Sequence, residues 1–188
     1  MLATPGDGRC IDVVLLMVGH GSSLASLGAH LRASSSVPLC LHLVSDVSAH
    51  REAEQWGMRA HTLSRMPADA QKLHRGFANV THGPGGIYMW KPLLHYLLPL
   101  DKAIVLDSDV ALIHDLAGLW RQFLRFGNET VAGLALEQAP FYLQWYPEGG
   151  FNGGVQLLNF RAMRQPGGEF ERELRRFASG ERGDIGYL

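Results

Sequence analysis

The chain has 188 residues, 46% of them apolar and 19% charged, with a formal net charge of −1 at neutral pH. That balance excludes a disordered segment, and it offers no clustered Lys and Arg of the kind nucleic acid requires. No apolar run approaches the ~18 residues of a membrane span, and residues 11–18 carry Asp12 and lack the basic flank of a signal peptide, so the chain reads as soluble and without an anchor.

In chain order, residues 13–18 read as a first strand and Gly19-His-Gly-Ser-Ser23 as a turn in which Ser22 or Ser23 caps a helix with Leu24, Leu27 and Leu31 on its apolar face. A strand over 39–44, a helix over 51–56 and a strand over 58–63 complete a β-α-β-α-β order, the opening half of a nucleotide-binding α/β domain. Cys10 and Cys40 border or lie in these strands without metal-ligand spacing and read as buried or incidental thiols, not as a disulfide. Residues 66–86 pattern weakly and end in a glycine-rich loop. The spacing then predicts a helix over 88–98 with a proline near its start, a helix over 116–126 capped by Asp115, strands over 131–136 and 155–159, an aromatic loop over 140–150 and a charged helix over 170–177. With no repeat, no low-complexity tract and no linker, residues 1–188 read as one domain. The abrupt ending at Tyr187-Leu188 reads as an incomplete C-terminus.

Lys102-Ala-Ile-Val-Leu-Asp-Ser-Asp109 carries the most chemistry. Its short β-branched run is that of a buried parallel strand, and it stops at two carboxylates. Ligands of open α/β sheets bind outside the carboxyl ends of the strands. Asp107 and Asp109 therefore suit a hard divalent cation bridging to phosphate oxygens. Taken alone, without the flanking motifs, the pair reads more readily as a strand-end turn with Asp109 as a helix cap.

Four segments, Gly86-Ile-Tyr-Met-Trp-Lys-Pro-Leu93, Ala103-Ile-Val-Leu-Asp-Ser-Asp-Val110, Val131-Ala-Gly-Leu-Ala-Leu-Glu-Gln138 and Phe151-Asn-Gly-Gly-Val-Gln-Leu-Leu-Asn159, occur in the order of the family 8 glycosyltransferases. The chain most resembles the xylosyltransferase domain of the LARGE-type xylosyl- and glucuronyltransferases. The resemblance implies a retaining enzyme of the GT-A fold, a Rossmann-like, mostly parallel sheet flanked by helices. It also implies a UDP-sugar donor, a glycan or glycoprotein acceptor, Mn²⁺ or another divalent cation held by Asp107 and Asp109, and a location in the Golgi lumen. Donor contacts would fall to Gly19, His20, Gly21, Lys91 and Ser108, with Lys91 adding positive charge near the phosphates or the carboxylates. Asn152, Gly153 and Gly154 would line the sugar pocket, and Gln138 would reach the donor or acceptor sugar.

Two features depart from the family pattern. The family's third protein ligand to the metal is a downstream histidine, whereas the last histidine here is His114. Its catalytic D-Q-D segment corresponds to Gly183-Asp-Ile-Gly186, where Asp184 matches one aspartate and the glutamine is missing. The alternative to a transferase is therefore a non-catalytic or truncated member that binds nucleotide or glycan without turnover. The bland readings are a snorkelling surface lysine for Lys91, an ordinary tight turn for Asn152-Gly-Gly154 and for Gly19-His-Gly21, and packing rather than sugar stacking for Phe141, Tyr142, Trp145 and Tyr146.

Overall fold

The computed structural model describes residues 10–17, 24–45, 50–80, 89–138 and 150–181. Six strands, β1 (Ile11–Met17), β2 (Leu39–Ser45), β3 (Arg59–Thr62), β4 (Ala103–Asp107), β5 (Ala132–Leu136) and β6 (Phe151–Leu158), form one sheet in the order β3-β2-β1-β4-β6-β5. β1, β2, β3 and β4 pair in parallel, and β6 runs antiparallel to both β4 and β5. The sheet is therefore mixed but mostly parallel, as expected. The chain moves outward from β1 to β2 and β3 on one side and returns to β4 on the other. This reversal is the switch point at which α/β sheets open a cleft. The register Leu16↔Asp107 puts the end of β4 at that point.

Alternation along the strands divides the core between the two faces. Val13, Leu15, Leu43, Ile104 and Leu106 pack beneath α1 (Leu24–Ala33), α2 (His50–Gln55) and α5 (Leu116–Trp120). Val14, Leu16, Val44, Ala103, Val105 and Leu158 pack beneath α3 (Ala68–Val80), α4 (Leu94–Leu97), α6 (Phe160–Met163) and α7 (Glu169–Ala178). Arg164 fastens the second layer to the sheet by donating to the carbonyls of His95, Leu98 and Leu100 at 3.2, 3.1 and 2.5 Å, which satisfies the end of α4 just before β4 begins.

The structure departs from the sequence reading in several places. Residues expected to be irregular form α3, because Ala70, Leu73 and Phe77 recur at helical spacing and are buried. The single helix expected over 88–98 is a 3₁₀ turn, Lys91–Leu93, followed by the one turn of α4. Asp115 caps α5 by accepting from the Ala117 N–H at 2.9 Å, but the helix tightens to 3₁₀ over Arg121–Arg125. β6 starts at Phe151 rather than at residue 155, so Asn152, Gly153 and Gly154 are strand residues, not a loop. Cys10 and Cys40 are joined in a disulfide, with Cα atoms 5.6 Å apart. The parallel register that sets Asp12 beside Cys40 brings Cys10 within reach of it. Asp12, alone in an apolar run, is buried and accepts from His42 Nε2 at 3.1 Å; His61 Nε2 lies 3.1 Å from the other nitrogen of that ring.

Candidate functional site

Asp107 is the last residue of β4, where the apolar strand emerges from the core, and its side chain is 24% exposed. Its Oδ1 lies 2.6 Å from Nζ of Lys91, whose residue is 2% exposed. The same ammonium donates to the Gly153 carbonyl at 2.5 Å. Lys91 is therefore a buried counter-ion, not a snorkelling surface lysine. Its backbone is fixed by the 3₁₀ turn with Pro92 and by Trp90, which stacks on His74 of α3 with ring centroids 3.7 Å apart. A buried ammonium is tolerated when carboxylate and carbonyl oxygens replace its water.

Gly154 faces Asp107 across the β4–β6 pair. A Cβ built on it would lie 3.6 Å from Asp107 Oδ2, so the glycine keeps space open beside that oxygen. Asn152 organises the backbone here: its Oδ1 accepts from the Gly154 N–H at 2.9 Å and its Nδ2 donates to Glu137 Oε2 at 3.2 Å. Glu137 in turn accepts from the Gln138 N–H at 2.9 Å through Oε1. The structure thus brings Lys91, Asp107, Asn152, Gly153 and Gly154 together at one sheet end. Glu137 joins them although sequence reasoning gave it no role; its position at the end of an apolar strand was the available signal.

Asp109 lies beyond the strand, exposed, and among the described residues it has no ion pair. Ser108 is half-buried between the two aspartates. The segment that follows is tethered to α1 and the loop after it. The Leu112 N–H donates to His30 Nε2 at 2.9 Å, and Ser36 donates its N–H and hydroxyl to Asp115 at 3.2 and 2.5 Å. The Ser36 hydroxyl is the main reason the Asp115 carboxyl is held below the usual carboxylate range. Gln138 is exposed, and the Glu137 carboxylate lies between its backbone and Asn152. Gly19, His20, Gly21 and Asp184, and the aromatic residues of 141–146, lie outside the described residues.

The oxygens at the strand end fit a hard cation in part. Asp107 and Asp109 supply carboxylates, and the Gly154 gap leaves Asp107 Oδ2 approachable, while Oδ1 faces the Lys91 ammonium. Among the described residues, the group of three potential metal ligands is Cys10, Asp12 and Cys40, whose sulfurs are committed to the disulfide.

No family model matches the chain. Human xylosyl- and glucuronyltransferase LARGE2 is 32% identical over 184 residues, covering 88% of this chain and 26% of that protein. Chicken LARGE1 is 28% identical and covers 86% of this chain and 24% of its own length. The chain spans about a quarter of the length of these relatives. Among solved structures, mouse xyloside xylosyltransferase 1 superposes with a TM-score of 0.67 at 20% identity, over 95% of this chain and 76% of that one. The galactosyltransferase LgtC, solved with donor and acceptor sugar analogs, superposes with a TM-score of 0.60 at 19% identity, over 91% of this chain and 65% of that one. By sequence the chain is a homologue of the LARGE-type xylosyl- and glucuronyltransferases across most of its own length, and by structure it has the GT-A glycosyltransferase fold.

Proposed function

We propose that this chain is the donor-binding part of a retaining glycosyltransferase of family 8 that moves a sugar from a UDP-sugar to a glycan or glycoprotein acceptor. The observation that carries the reading is the convergence of Asp107, Lys91 and the Asn152-Gly-Gly154 strand at the C-terminal end of β4, beside the sheet's switch point. Similarity to LARGE2 supports the choice of chemistry. Asp107 and Asp109 would hold Mn²⁺ or a related divalent cation. When bound, that cation neutralises the diphosphate leaving group. Lys91 would add a buried positive charge to the same region. Gly153 and Gly154, without side chains, would let the donor sugar approach the strand backbone. Asn152, whose two polar atoms are engaged with Gly154 and Glu137, would hold that backbone in place rather than touch the sugar directly. Gln138 would reach the acceptor side, and Ser108 the diphosphate.

A lumenal location in the secretory pathway fits the Cys10–Cys40 disulfide, since such bonds persist in oxidising compartments. Among the described residues, no helix is long and apolar enough to cross a membrane.

Calorimetric titration of Mn²⁺ and then UDP tests the proposal. Binding of UDP that needs Mn²⁺ and is lost in Asp107→Asn and Asp109→Asn is the expected result; UDP binding indifferent to both substitutions would defeat it. A second reading, nucleotide binding without turnover, is favoured by the Lys91 ammonium lying on Asp107 Oδ1. Release of free sugar from a UDP-sugar on incubation with the chain would exclude it.

A further inference from the structure

The N-terminal end of β1 lies at the opposite end of the parallel strands from Asp107 and carries polar groups of its own. Asp12 is the charged residue of the otherwise apolar strand Ile11–Met17, and it is 6% exposed. The parallel register sets it beside Cys40. Alternation then puts Cys10 and Asp12 of one chain segment and Cys40 and His42 of β2 on a single sheet face. A carboxylate oxygen of Asp12 and the sulfurs of Cys10 and Cys40 all lie within 4.8 Å of one another. Asp12 and Cys40 are buried, while Cys10 is half-buried. Behind the carboxylate, His42 donates from Nε2 to Asp12 Oδ1 at 3.1 Å, and His61 Nε2 stands 3.1 Å from His42 Nδ1.

The Cys10–Cys40 disulfide occupies a set of metal ligands. A dithiol reductant opens it by exchange: the S–S bond passes to the reductant, two electrons pass to the protein, and Cys10 and Cys40 each keep a thiol proton. Two thiols and a carboxylate on one face suit Zn²⁺, which takes Cys sulfur at about 2.3 Å and carboxylate oxygen at about 2.0–2.2 Å. Tetrahedral placement at those lengths sets the sulfurs about 3.8 Å apart and each sulfur about 3.6 Å from the oxygen. The two side chains reach that spacing by rotating apart on Cα atoms that lie 5.6 Å from each other. We propose that the reduced chain binds one Zn²⁺ through Cys10 Sγ, Cys40 Sγ and an oxygen of Asp12, with water completing the four-coordinate shell, and that the disulfide is the metal-free form of this site. Both thiol protons leave as the ion enters. The ion offsets the mutual repulsion of three anionic ligands, and His42 orients the Asp12 carboxylate as an outer-shell partner. Bond or ion then ties β1 to β2 at the same place. The inference is independent of the chemistry proposed at Asp107.

The test is titration of the full chain with Co²⁺ and then Zn²⁺, after reduction by a phosphine in denaturant and refolding without oxygen, beside the oxidised chain. The sequence holds two cysteines, so a sulfur-to-cobalt charge-transfer band reports Cys10 and Cys40, and oxygen ligands at Asp107 give none. The reduced chain is expected to show this band at one Co²⁺ per chain, to lose it to Zn²⁺, and to melt higher with Zn²⁺ than without. The oxidised chain is expected to show no band. Asp12→Asn still accepts from His42 but offers no carboxylate, and it is expected to bind Zn²⁺ at least about tenfold more weakly. Asp12→Ser carries the same comparison if the asparagine variant does not fold. Cys40→Ser is expected to lose most of the band. The inference is overturned if the reduced chain shows no band, which includes a reduced chain that fails to refold with Zn²⁺ present. It is overturned equally if band and affinity are unchanged in the Asp12 variant that folds. The dependence of UDP binding on Asp107 is a separate measurement, so either result stands without the other.

Discussion

Asn152 and Glu137 join the strands that end at the site: Asn152 Nδ2 donates to Glu137 Oε2 over 3.2 Å, while its Oδ1 takes the Gly154 N–H at 2.9 Å. One amide therefore needs both its donor and its acceptor. Asn152→Asp keeps the shape but replaces the donor with an oxygen facing another carboxylate. Loss of the bond and the new repulsion are expected to cost about 1–3 kcal/mol locally. Because β6 is held along its length by β4 and β5, the fold should survive. Circular dichroism is expected to show a native spectrum and calorimetry a large loss of UDP affinity. Unchanged affinity would mean that the Gly153–Gly154 backbone does not shape the donor site.

Gly76 on α3 meets Ala178 at the end of α7 so closely that a Cβ built on it would lie 2.4 Å from the Ala178 carbonyl oxygen. Two effects of Gly76→Ala oppose each other. Alanine favours a helix interior over glycine by about 1 kcal/mol. The methyl also strikes backbone, which cannot rotate aside, and overpacking of this kind costs about 1–3 kcal/mol. Sterics are expected to win, with melting lowered by several degrees. A rise would show that α7 shifts away freely.

Local signals in the sequence carried much of this architecture, and pairwise ones did not. The strand ending at Asp107 and the Asp115 cap were legible because a short apolar run and a cap are fixed by neighbours along the chain. α3 was readable in principle from Ala70, Leu73 and Phe77, but Gln71, Lys72, His74 and Arg75 between them diluted the pattern. Gly153 and Gly154 hid the first half of β6, since glycine weakens strand propensity and the pairing with β4 and β5 supplies what it lacks. Asp107 and Asp109 could be named from the apolar strand before them, and Lys91, Asn152, Gly153 and Gly154 from the family resemblance, yet the geometry of the Lys91–Asp107 pair and its bond to Gly153 depends on segments that only the folded sheet brings together. The disulfide was missed for the same reason, because it follows from the β1–β2 register.

That disulfide closes a loop with a sequence separation of 30 between its cysteines. Cross-linking a loop of this length restricts the unfolded chain by about 3–4 kcal/mol in the chain-entropy description. Cys10→Ser with Cys40→Ser, or treatment with a dithiol, is expected to lower the melting temperature by roughly 10 °C. Both should do so by similar amounts. A dithiol that leaves melting unchanged while the double variant melts lower would show that the bond resists reduction. If neither lowers it, the bond does not constrain the unfolded chain as argued.

His95 makes stability depend on acidity. Burial depresses its pKa from 6.5 to about 4, with Arg164 acting in the same direction, while its bond to the Pro92 carbonyl and the Glu171 charge oppose the shift. The neutral ring donates Nδ1–H to Pro92 at 2.8 Å and packs against Tyr96 and Phe170. The sign follows from proton counting. Between the two pKa values the unfolded chain takes up a proton that the folded chain does not, so acid favours unfolding. Stability is full above about pH 6.5, falls by about 2 kcal/mol at pH 5, and by about 3 kcal/mol below pH 4, on the scale of 1.36 kcal/mol per unit. Urea unfolding at pH 7, 5.5 and 4.5 should trace this decline. His95→Asn keeps a donor for the Pro92 carbonyl but cannot titrate. It is expected to be less stable than the parent at pH 7, because ring packing is lost, and to lose less stability between pH 7 and 4.5. Parallel declines in the two proteins would place the acid sensitivity in another group.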